Sequence, residues 1–128
     1  MAENMVRIDS TVPVNITGTV TATSNTSVTP TTTLSAVTTG TGTAVDFARA
    51  QNSISMAIIV SGTVTAGMLA LDVSHDGTNW VQVTTTNVTT NTNNKLVASN
   101  EAWRYARGRV VTNVTGGATV TCTLMAGG

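Results

Sequence analysis

The stretch MLALDVSHDGTNWVQV, Met68 to Val83, decides the fold class. Leu69, Leu71 and Val73 alternate with Ala70, Asp72 and Ser74, and a period of two places the larger apolar side chains on one face of a strand. Asp76-Gly77 supplies the positive φ values of a tight turn, and Trp80 opens a second strand. The reading is a central β-hairpin with Leu69, Leu71 and Val73 inward.

Working outward, Ser53 to Val60 is a strand with Ile54, Met56, Ile58 and Val60 on one face. Ala57 and Ile59 on its other face predict burial from both sides. Lys95 to Ser99 reads as a short strand and Ala102 to Val114 as a long one, with Trp103, Tyr105 and Val111 at odd positions. Gly116-Gly117 then predicts a second hairpin into Ala118 to Met125. There Ala118, Val120, Cys122 and Leu124 face in, and Thr119, Thr121 and Thr123 face out. Thr84 to Asn94 is polar and uncharged, a loop. Ala44 to Ala50, AVDFARA, offers a helical turn.

The N-terminal part is different in kind. Ser24 to Thr43 is low-complexity, rich in Thr and Ser with Pro30, and predicts a loop excursion holding one short strand. In Thr11 to Thr23, Val12, Val14, Ile16, Val20 and Ala22 alternate with Thr, a half-buried strand; Pro13 confines it to a sheet edge or to a neighbouring subunit. Met1 to Ser10 is a polar arm with Met5, Val6 and Ile8 as anchors. The expected whole is one all-β domain, an antiparallel β-sandwich of jelly-roll or Ig-like type with an extended N-terminal arm. Residues 1–10 are the arm, 11–52 a Thr-rich interface segment and 53–128 the core.

Composition agrees. Thr and Val make up about a third of the residues, and both favour strands. Only 9% of residues are charged and the formal net charge is zero, which argues against nucleic-acid or membrane-surface binding, since both require a basic excess. A surface covered by hydroxyls and amides suits a protein packed against others. The N-terminus shows no apolar signal segment and no run is long enough to span a bilayer, so synthesis in the cytoplasm without export is expected. The N-x-[ST] matches at Asn15, Asn25, Asn87 and Asn113 are chance products of an Asn- and Thr-rich chain.

Chemistry-bearing motifs are sparse. Asp72 to Gly77 matches the first half of a calcium loop, but Val83 stands where a bidentate Glu is needed. His75 is the one histidine and has no marked nucleophile for a triad. Glu3 and Glu101 are the only glutamates, which leaves no carboxylate pair for glycoside hydrolysis. The single Cys122 excludes an intrachain disulfide and reads as a buried apolar residue. These points predict a protein that is not an enzyme and takes no cofactor or metal. Trp80, Trp103 and Tyr105 offer aromatic faces on which a sugar ring could stack. Arg104, Arg107 and Arg109 gather half of the positive charge on one strand, for an interface or a solvated edge.

SHDGTNWVQV (Ser74–Val83), WRYARGRVVT (Trp103–Thr112) and TGGATVTCTLMAGG (Thr115–Gly128) together resemble a recurrent pattern in short structural proteins of tailed bacteriophages. Gly108 and Ala106 are smaller than the residues usual in that pattern. The resemblance implies a virion component, and the single compact domain favours a capsid decoration, or cement, protein. It further implies a homotrimer on the capsid exterior whose partner is the major capsid protein. On this expectation Met5, Val6, Ile8, Val12, Val14, Ile16, Arg104, Arg107 and Arg109 are interface candidates. The alternative is a carbohydrate- or receptor-binding module of a tail, fibre or baseplate, with Trp80 stacking on a glycan.

Overall fold

The computed structural model of the chain describes residues 29–127. Six strands form one antiparallel sheet: β1 (Thr31–Val37), β2 (Val45–Ser61), β3 (Ala66–Ser74), β4 (Trp80–Asn87), β5 (Asn94–Thr115) and β6 (Thr119–Gly127). Their order is β1-β6-β2-β5-β3-β4. The all-β, antiparallel expectation holds. The candidate anchors Met5, Val6, Ile8, Val12, Val14 and Ile16 lie outside the described residues.

One sheet, folded over, encloses the core. A flat sheet would hold β1, three places from β5, about 14 Å away. Instead the Gly108 N–H of β5 donates to Thr33 Oγ1 of β1 at 3.0 Å, and the Gly42 N–H donates to the Gly108 carbonyl at 2.7 Å. A Cβ on Gly108 would lie 2.9 Å from Met56 Sδ and 3.1 Å from Thr33 Cγ2. The absence of a side chain at Gly108 is thus what lets the two halves touch.

The long strands β2 and β5 carry the fold from one half to the other. The N-terminal part of β5 pairs with β2 (Asn94 opposite Ile58), and its C-terminal part with β3 (Arg109 opposite Ala70). Between them the register slips, with Ala48 at φ 71° and Asn100 at φ 61°. Such bulges bend a strand and let it change layers. Asp46 fixes the first bulge: its Oδ1 accepts the Ala48 N–H at 2.7 Å. AVDFARA is therefore the bulged start of β2, not a helical turn; strand pairing with β5 supplies its backbone partners. Lys95–Ser99 and Ala102–Val114 are likewise one bent strand.

Three further expectations are corrected. The core begins at β1, not at residue 53, because Leu34, Val45 and Gln51 are buried with it. Gly116-Gly117 is not a hairpin turn: β6 pairs with β1 and β2, never with β5, so the glycines arch the chain across to the other half. The inward row Ala118, Val120, Cys122 and Leu124 is nonetheless fully buried. The turn joining β3 to β4 runs through residues 75–79, longer than a tight Asp-Gly turn, because Asp76 caps it internally. Its Oδ1 accepts the Thr78 and Asn79 N–H groups, each at 2.8 Å. Only Gly77 adopts positive φ there, 78°, and a Cβ at that position would lie 3.3 Å from the Tyr105 ring.

Candidate interaction surfaces

Folding the sheet over leaves two outer faces. The first belongs to β4, β3 and the C-terminal part of β5, where Trp80, Ser74 and Tyr105 lie in one cross-strand row and Gln82, Asp72 and Arg107 in the next. Long side chains from β4 and β5 lean over β3. Asp72 Oδ2 accepts Arg109 Nε at 2.7 Å and Arg107 Nε at 3.3 Å, and Arg109 also reaches Asp72 Oδ1 and Gln82 Oε1. The Arg107 guanidinium lies 4.2 Å from the Trp80 ring centroid. Under this cover Ala70, Asp72 and Ser74 are 0–2% exposed. The alternation that predicted Asp72 and Ser74 outward is correct in direction; it misses the neighbours that roof them.

The expected site residues thus meet here, largely satisfied from within the chain. Arg107 and Arg109 share Asp72, while Arg104 makes a two-pronged pair with Asp46 at 2.8 and 3.1 Å. That pair, then the Ala48 N–H, holds the Asp46 carboxyl below the usual carboxylate range. Trp80 has one face occupied by Arg107, so a sugar would have only the other. Trp103 stacks on His75 at 4.4 Å and donates from Nε1 to Glu101 at 2.8 Å. His75 is thereby held against the strand, its Nε2 3.2 Å from the Ala102 carbonyl oxygen. The Asp76 oxygens are consumed by their own turn, which depresses its carboxyl strongly, chiefly through the Asn79 N–H. Among the described residues no cluster of His, Cys, Asp or Glu is arranged to hold a metal.

The second outer face belongs to β1, β6, β2 and the N-terminal part of β5. One row runs Thr32, Thr123, Ala57, Lys95, and the next Met125, Ser55, Val97. The periodicity predicts Ala57 and Ile59 buried from both sides, yet Ala57 is exposed and Ile59 is 46% exposed. The flanking strands explain this: beside β2 stand Thr121, Thr123, Met125, Lys95 and Val97, without the arginine and aromatic side chains that cover β3. Sequence inspection could have found this face from the Ser53/Ser55/Ala57/Ser61 series, a small-residue row on a strand otherwise fit for the core. A separate shallow groove of about 360 Å³, lined by Met68, Asn87, Val88 and Thr112 among others, has no charged side chain on its walls.

Comparison with known proteins places these surfaces on a shared domain. The chain belongs to the family described as "Uncharacterised protein YqxG N-terminal domain". The family model matches residues 7–125, which takes in β1 to β5 and all but the last two residues of β6. Among solved structures, the protein described as "SPBc2 prophage-derived protein YomS" shares the fold, with a TM-score of 0.51 and 15% identity over 77% of this chain and 92% of that one. No curated protein matches the chain.

Proposed function

We propose that the chain is a bacteriophage-encoded structural protein and, in its specific form, a capsid decoration protein that binds the mature shell through the major capsid protein. The observation that carries the reading is the fold shared with a prophage-derived protein over most of both chains. The surfaces support it: exposed strand rows and a sparsely charged, hydroxyl-rich composition fit a protein that works by docking. Because Arg104, Arg107 and Arg109 are engaged with Asp46 and Asp72, capsid contact falls to other groups, with the N-terminal segment first among them. Binding only the mature shell stabilises it by mass action.

The test is co-sedimentation of the purified chain with heads of the phage that encodes it. The expected result is saturable pelleting with mature heads, little with unexpanded ones, and loss on removing residues 1–10. Failure to pellet with mature heads, or recovery of the native protein only with tails or only free in the lysate, overturns it.

A further inference from the structure

The open outer face has a feature that capsid binding does not explain. β2 lies between β6 and β5, a position in which the corresponding side chains of β3 are sealed, yet its Ser55, Ala57 and Ile59 face out uncovered. Around them Val97 is 39% and Met125 37% exposed. Lys95 is the only charge in the described rows. Small hydroxyls, exposed aliphatic groups and a single charge leave this face without the arginine and aromatic cover that seals β3.

We infer that this face is a self-association surface, on which a second copy of the chain packs sheet against sheet about a two-fold axis. A lone strand laid across the face would leave its own backbone groups without partners, whereas a second sheet arrives with its ladder complete. Short side chains permit the roughly 10 Å approach of stacked sheets. Four strands about 4.8 Å apart and about nine residues long give a face of roughly 600 Å² in projection. Side-chain relief brings its accessible area towards the roughly 800 Å² per partner of a standard stable interface. The one charge of the rows, Lys95, lies at the β5 end, so a two-fold contact can set it against the partner's β1 end and not against itself. Faces meeting about a two-fold axis form pairs, in place of the three-fold assembly implied by the phage resemblance. The inference is independent of the capsid reading: it fails or holds on the free protein.

The test uses the full chain with Ala57→Cys, read in two ways. Light scattering across a dilution series is expected to show a mass of twice 13.1 kDa falling to the monomer value. Labelling of the new thiol by a maleimide is expected to be slow in the dimer and fast on dilution. Cys122 stays silent, being fully buried with its thiol pushed up to about 12. Ile59→Lys, on a side chain already exposed, should weaken association at least about a hundredfold, in the range of a central hot spot. Val81→Lys, at 51% exposure on β4, should leave it unchanged. A monomer with a fast-reacting thiol at all concentrations overturns the inference. So does a monomer with a slow one, which would make the chain's own N-terminal segment the cover. A trimer, or a dimer indifferent to Ile59→Lys, overturns it equally.

Discussion

The two outer faces occupy equivalent places in the fold and differ in how they are finished. On β3, the central strand of one half, Ala70, Asp72 and Ser74 are sealed beneath arginine, tryptophan and tyrosine side chains from the flanking strands. On β2, the central strand of the other, Ser55, Ala57 and Ile59 have only Thr, Val, Met and Lys beside them and stay open. A sheet face can thus be closed by its own long side chains or left for another molecule to close. What decides is whether the neighbouring strands bring arginine and aromatic side chains tied down across the central strand.

The largest expected effect comes from opening the sealed face. Asp72→Ala removes a carboxylate 3% exposed and strips both arginines of their partner. Breaking a buried pair costs about 3–5 kcal/mol, but Arg107 and Arg109 are 23% and 28% exposed and regain water, so a loss of about 3 kcal/mol in urea denaturation is expected. A loss under about 0.5 kcal/mol would mean that the arginines are ornaments of the surface. Next is the contact that holds the two halves together. Gly108→Ala drives a Cβ against Met56 and Thr33 and should cost about 2 kcal/mol, in the range of overpacked cores. An unchanged midpoint would show that the halves do not close as tightly as Gly108 implies.

A paired substitution then compares the faces directly. Ala70→Leu, beneath Arg109, should cost about 1–3 kcal/mol, whereas Ala57→Leu on the open face should stay within about 0.5 kcal/mol. Equal costs would abolish the distinction, because they would require the open face to be filled in the isolated chain.

Much of the fold was legible in the residues. Period-two rows such as Ile54-Met56-Ile58-Val60 and Ala118-Val120-Cys122-Leu124 locate strands and their inward faces, because each is a local property of one strand. Partner choice is not local. Gly116-Gly117 looks the same in a hairpin as in an arch, and only the enclosed core sends β6 to β2. AVDFARA reads as helical because what makes it a strand is its pairing with β5, where Val45 lies opposite Ala106 and Asp46 opposite Tyr105. The two outer faces were misjudged for the same reason. Asp72 looks exposed until Arg107 and Arg109 arrive from β5, and Ile59 looks buried until its neighbours prove too short. The arginine cluster was visible in sequence as a site, but its partners Asp46 and Asp72 were not.

The smallest effect concerns the corner that joins the faces. Asp46 accepts both Arg104 and the N–H of Ala48, whose φ of 71° needs support, and its carboxyl is held below its ordinary value of 3.8. A carboxyl lowered in the folded state contributes stability above its unfolded pKa and loses it as pH falls through the folded value. Asp46→Asn keeps an oxygen for Ala48 but loses the ion pair with Arg104, so it should lower Tm slightly near neutral pH. As pH falls below that ordinary value, the gap to the unsubstituted chain should close. Both groups are solvent-exposed, so added salt should narrow the neutral-pH gap as well. A gap that holds constant on acidification would assign the bend to the Ala48 hydrogen bond alone. The ion pair would then be a passenger at the corner, and the bulge geometry of β2 would be what turns one face into the other.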